Sequence, residues 1–190
     1  MRNYRRITLA LMTGLLALGC AAHRPTTFLH PEYDFSQIER IAVVPFENLS
    51  TEQGASSYMT RVFLTELLAT GAFDVVEPGE VSRVLVTLGQ TKVAELDQAG
   101  LKKMAAELKV QAVVFGSVGE STQYRSGNTA SHVVSLAARL VDCETATTVW
   151  TANVTSSGPG PISRLMGVGE DTRGDAIRKT IRRAVKSLVR

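Results

Sequence analysis

The sequence predicts an α/β fold, a mixed β-sheet packed against helices, and three features carry that prediction. Two short, continuous β-prone runs, Ile41 to Phe46 and Ala112 to Val118, read as strands buried on both faces. Between them lie segments whose apolar residues recur at helical spacing. Behind them come two segments that alternate apolar and polar residues, the signature of antiparallel strands with one wet face.

In chain order, Arg40-Ile41-Ala42-Val43-Val44-Pro45-Phe46 is expected to open the sheet and to be ended by Pro45. Glu47 to Gly54 reads as a polar turn. Ala55 to Thr70 then sets Tyr58, Met59, Val62, Phe63 and Leu67 on one helical stripe, with Gly71 as its C-cap. Phe73 to Glu77 forms a second strand, closed by Pro78-Gly79. Val81, Val84, Leu85 and Leu88 build the next amphipathic helix. Leu101, Met104, Ala105 and Leu108 repeat the spacing behind an Asp97 cap and lead into the third buried strand at Ala112. His132 to Asp142 places Val134, Leu136, Ala138 and Leu140 on one face and Ser135 and Arg139 on the other. Thr148 to Ser156 turns Trp150, Ala152 and Val154 inward, and Asp142 to Ala146 makes the hairpin turn between these strands. A last helix carries Ile177, Ile181, Val185 and Leu188. The predicted fold is therefore three strand-helix units, a C-terminal antiparallel hairpin and a final basic amphipathic helix.

The N-terminus has its own logic. Met1-Arg2-Asn3-Tyr4-Arg5-Arg6 is basic, and Ile7 to Leu18 is apolar but shorter than the roughly 20 residues a spanning helix needs. This is the layout of an export signal. It ends Leu16-Ala17-Leu18-Gly19-Cys20, which resembles the lipobox of bacterial lipoproteins, although Ala17 stands where leucine is usual. Residues 1–19 are thus expected to be a signal peptide, Cys20 the lipidated residue, 20–36 the anchor and linker, and 37–190 one periplasmic domain. A plain secretory signal with an unmodified Cys20 is the alternative; the Arg5-Arg6 pair fits twin-arginine export poorly. Lipidation leaves Cys143 as the one remaining thiol, without a disulfide partner. Ala21 rather than aspartate after the cysteine points to the periplasmic face of the outer membrane.

Charge excludes one class of partner. The net charge of +3 is carried by Arg2, Arg5 and Arg6 inside the signal, so the mature chain is neutral and no nucleic acid is implied. Within it the charge is split. Asp171 to Arg190 holds seven basic residues against two acidic ones, whereas the rest of the mature chain holds eleven against sixteen. Arg182, Arg183 and Lys186 on this helix either complement the chain's own acidic body or meet anionic headgroups or an acidic partner. The glycine- and proline-rich stretch from Ser156 to Gly174 carries Ile162, Leu165 and Met166. These side chains either fold back over the sheet or dock a partner.

The order of Ile41 to Asn48, Phe73 to Glu77, Ala112 to Ser117 and Leu140 to Thr145 with Trp150, behind a lipobox, resembles the CsgG-like family of envelope lipoproteins. That family includes the curli secretion channel and, more distantly, LpoB-type activators of penicillin-binding protein and TolB N-terminal-like domains. The resemblance implies a periplasmic interaction domain with no catalytic residues. The channel members add long membrane-spanning hairpins, for which each strand needs about 9 to 11 alternating residues. Gly89 to Ala99 and Gly119 to Ala130 read as too short and too polar for that role.

No arrangement of residues points to catalysis. His23, His30 and His132 have no Cys, Asp or His at metal-ligand spacing. Ser117 lacks the Gly-x-Ser-x-Gly pattern of a nucleophile turn. Gly116, Gly119 and Gly127 lack the spacing and lysine of a phosphate loop. The sequence therefore predicts no catalytic site, metal, cofactor or small-molecule substrate. Its expected role is that of a membrane-anchored interaction or assembly module for envelope proteins, or alternatively a subunit of a ring-forming secretion complex.

Overall fold

A computed structural model of the chain describes residues 25–89, 96–126, 129–157 and 172–189. Its strands are β1 (Thr26–Leu29), β2 (Arg40–Val43), β3 (Glu47–Asn48), β4 (Asp74–Val75), β5 (Ala112–Ser126), β6 (Thr129–Asp142) and β7 (Thr148–Ser157). Its helices are α1 (Ala55–Leu68), α2 (Pro78–Thr87), α3 (Gln98–Leu108) and α4 (Arg173–Leu188). The strands form one sheet in the order β1-β7-β6-β5-β2-β4, with β3 also pairing β5. The sheet is mixed, as the sequence predicts. β2 runs parallel to β4 and β5, and β6, β7 and β1 are each antiparallel to their neighbours.

β2 is central because both of its faces find apolar partners. Ile41 and Val43 join the core under α1 and α4, while Ala42 and Val44 join a second core under α2 and α3. Ile41, Val43 and Val44 each contribute about 1.5–3 kcal/mol when fully buried, and Ala42 less. The first core spans the whole sheet. Phe63, Met59, Leu67, Leu136, Leu140, Trp150, Ile177 and Ile181 are all inaccessible to solvent there. The second core lies over β2 and the start of β5, through Val81, Val84, Leu101, Met104, Val113 and Phe115, and reaches β6 only at its end, through Val141 and Cys143. Among the described residues, no helix covers that face over β7, β1 and the rest of β6.

Local signals place the helices. The Asp97 carboxylate accepts from the Gly100 amide at 2.7 Å and caps α3 as expected. Thr172 caps α4, accepting from the Asp175 amide, and the Asp175 carboxylate accepts from the Thr172 hydroxyl at 2.6 Å. After Pro45 ends the strand, the Phe46 amide donates to the Thr60 hydroxyl at 3.0 Å, so the buried chain leaves the ladder without an orphaned donor.

Four expectations change. Arg40 to Phe46 does not open the sheet, because Thr26–Leu29, expected in the linker, pairs antiparallel with β7 as its edge strand. All four of its residues are exposed, so no burial pattern marks it and only the free edge of β7 recruits it. Within the polar turn, Glu47–Asn48 pairs parallel with Ser117 and Val118. The strand at Phe73 to Glu77 shortens to Asp74–Val75. Finally, the polar stretch from Gly119 joins the third buried strand to its neighbour: β5 and β6 stay paired from Ala112↔Asp142 to Ser126↔Thr129. An antiparallel ladder is closed by backbone groups, so a stretch of polar side chains is no bar to it.

Candidate interaction surface

α4 divides its residues sharply. Ala176, Ile177, Thr180, Ile181, Ala184, Val185 and Leu188 are buried against the sheet and α1. The Thr180 hydroxyl is satisfied by the Ala176 carbonyl at 2.9 Å. The outward side carries Arg178, Lys179, Arg182, Arg183 and Lys186, which with Asp175 line a shallow groove of about 330 Å³. Asp175 in the first turn and Lys186 in the last both suit the helix dipole.

These cations are not equivalent. Arg182 makes a two-pronged pair with Glu66 of α1, Nε at 3.1 Å and Nη2 at 3.0 Å, and this hydrogen bonding raises the guanidinium pKa further. Arg178 donates to Asp175 at 2.7 Å. The Asp175 carboxyl is held below its ordinary range first by the Thr172 hydroxyl and then by Arg178. Arg173 at the start of α4 pairs with Glu52 at 2.6 Å, and the Ser121 hydroxyl of β5 donates to the same carboxylate. Lys179, Arg183 and Lys186 pair with no described acid. The helix thus spends three arginines on its own domain and offers three further cations outward. Of the residues singled out in the sequence, Arg182 fills the complementing role, while Arg183 and Lys186 remain in the open groove. Cys20, Ile162, Leu165 and Met166 lie outside the described residues.

A second surface was not legible in the sequence. Beside the edge of the second core, Phe115, Gly116 and Ser117 of β5, Ala137 and Arg139 of β6 and Asn153 of β7 line an open groove of about 310 Å³. The Arg139 guanidinium lies 5.0 Å from the centre of the Phe115 ring. The only sequence signal was Arg139 on the polar side of β6, and nothing local says that α2 and α3 stop short of it.

Cys143 and Asp142 serve the β6–β7 turn. Cys143 is buried at the β6–β7 turn, where burial and then the Asp142 carboxylate push its thiol up to about 12, so it is protonated and inert at neutral pH. Burial would raise Asp142 itself, but hydrogen bonds from the Tyr33 hydroxyl, Thr145 and the Glu144 amide outweigh it and lower the carboxyl. This carboxylate fastens the turn to the segment after β1. Among the described residues, no three His, Cys, Asp or Glu side chains gather as a metal site, and no helix is long and apolar enough to cross a membrane.

An α/β domain with helices on both faces of a mixed sheet, one of them basic on its outer side, is the class that this fold and surface define. No family model and no curated protein sequence matches the chain. Solved structures do. PelC from Paraburkholderia phytofirmans, solved as a dodecamer, is 20% identical, with 84% of this chain and 97% of that one covered at a TM-score of 0.53. Lipoprotein GNA1162 from Neisseria meningitidis is 22% identical, with 68% and 90% covered at 0.52. The hypothetical protein CT253 from Chlamydia trachomatis is 10% identical, with 80% and 94% covered at 0.51. At these identities the likeness is one of fold, and that fold is shared with a bacterial lipoprotein.

Proposed function

We propose that the chain is an exported lipoprotein of the CsgG-like kind, held by acyl chains on Cys20 at the periplasmic face of the outer membrane, and that its domain binds envelope proteins rather than catalysing a reaction. The observation that carries the binding role is the outward row of Lys179, Arg183 and Lys186, cations that pair with none of the described acids. Such a row attracts an acidic partner and orients it, while the anchor keeps both near one surface and raises their effective concentration. The lipobox-like Leu16 to Cys20 segment and the fold shared with lipoprotein GNA1162 support the anchoring.

A photo-crosslinking residue placed at Lys179 or Lys186 in the intact envelope tests the binding role. A discrete adduct is expected, and it should weaken in an Arg183→Glu, Lys186→Glu background. Absence of any adduct at both positions would remove the reading. The anchor is tested separately: the processed chain should begin at Cys20 with acyl mass, processing should be blocked by globomycin, and Cys20→Ala should lose the acyl mass.

A second reading, a ring of identical subunits, is favoured by the charge split between α4 and the rest of the mature chain. PelC, with a similar fold, was solved as a dodecamer. A monomer by light scattering in detergent at low salt would end this reading.

A further inference from the structure

The first strand sits unexpectedly close to the anchor. β1 begins at Thr26, so only residues 21–25 separate the sheet from Cys20. Six residue steps reach at most about 20 Å. The register gives the direction of that reach. Thr26 lies beside Asn153, Asn153 beside Ala137 and Ala137 beside Ser117, while Leu29 lies beside Trp150. The N-terminal end of β1 therefore points toward Ser157 on β7 and toward the Ser126↔Thr129 end of the β5–β6 hairpin. That end projects eight residues beyond Ala137, about 27 Å along β6. With a twist of about 20–25° per strand between β1 and β6, the projection along β1 is still about 19 Å. The tether's longest reach and the hairpin's overhang are the same length, and Thr26, to which the tether is joined, is the end of β1 on the hairpin's side.

Resting on the anchoring of Cys20, we propose that the outer end of the β5–β6 hairpin abuts the lipid headgroups of the membrane that holds the anchor, so that the sheet stands with its long strands directed at the bilayer. The occupant follows from the chain outside the sheet and where it leads, because a tether this short brings the hairpin end to the membrane plane when it is extended. The contact stays at headgroup depth. Glu120 to Ser131 contains no Val, Ile, Leu, Phe or Met, so it lacks the alternating apolar residues of a spanning strand. The opposite end of the sheet, the turn from Asp142 to Thr147, then faces away from the membrane.

The test uses the full acylated protein reconstituted into phosphatidylethanolamine and phosphatidylglycerol vesicles that contain a lipid with a nitroxide on its headgroup. A fluorophore is attached through Gln123→Cys or, in a second protein, Thr147→Cys. Both positions are exposed, and they stand about 30 Å apart along the strands. Cys143 is buried with a raised thiol and stays unlabelled. Quenching several-fold stronger at Gln123 than at Thr147 is expected. Protein that floats with the vesicles yet is quenched equally at both sites, or more at Thr147, overturns the orientation and leaves the anchor standing; a hairpin end covered by another protein gives that same result. Protein that does not float overturns the anchor and the orientation together.

Discussion

Two single positions show how tightly the faces of the sheet are specified. Gly116 lies where β5 passes under Phe46, whose ring also packs edge-on against Phe63 at 5.3 Å. A Cβ at Gly116 would come within 2.6 Å of that ring, and the ring has no free rotamer in a filled core. Gly116→Ala should cost about 1–3 kcal/mol, read as a lower urea midpoint at unchanged slope. Cys143 governs a different variable. Its folded thiol is raised from 9.0 to about 12, so the protonated form is favoured by folding. The stability this contributes is complete below the unfolded value and is lost as pH rises through the interval up to about 12. Tyr33 is raised in the same sense, first by burial and then by its bond to Asp142, and adds to the loss above its ordinary value of 10.0. Urea midpoints at about pH 7 and about pH 11 should therefore fall more in the parent than in Cys143→Ala, although the variant starts about 1 kcal/mol lower. Parallel declines in the two proteins would show that the thiol is not the titrating group.

Among the elements, α4 tests the division between packing and charge. Ile181 is inaccessible to solvent and Lys186 is exposed, five residues further on the same helix. Ile181→Ala should destabilise by about 2–5 kcal/mol, whereas Lys186→Ala should stay within about 0.5 kcal/mol and act only on partner capture. Equal losses in thermal unfolding would mean that the cationic row is structural. The same helix shows what a sequence can disclose. Its apolar stripe and its excess of charge are local, one-dimensional patterns, and both were legible. That Arg182 is neutralised by Glu66, 116 residues away in sequence, was not, because pairing across helices follows from packing that no local pattern encodes. β2 and the start of β5 were legible because burial on both faces demands continuous apolar runs. β1, β3 and the outer hairpin were not, since their side chains are exposed or polar and only backbone pairing defines them. The open groove beside Arg139 escaped for a third reason: it exists where α2 and α3 fail to cover the sheet, and a missing cover leaves no mark on the residues beneath it.

At the scale of the whole molecule, the proposed anchoring at Cys20 would give these layers directions. Strands aimed at the bilayer put both helical layers at right angles to it, so the cationic side of α4 looks along the membrane rather than into it. That geometry favours a lateral protein neighbour over headgroups as the occupant of the Lys179, Arg183 and Lys186 row. Tether length is the quantity that enforces it. Five residues between Cys20 and Thr26 reach at most about 20 Å, within the hairpin overhang of about 19–27 Å, whereas seventeen exceed it, with a contour of about 60 Å and a root-mean-square span of about 23 Å if flexible. Inserting twelve Gly/Ser residues between Pro25 and Thr26 should leave the urea midpoint unchanged, within about 0.5 kcal/mol, because the insertion precedes the first paired residue. It should also lower headgroup quenching at Gln123 toward the level at Thr147, since the domain can then tumble beneath its anchor. Quenching that survives the insertion undiminished would mean that the hairpin end adheres to the membrane by itself and that the length of the tether is incidental.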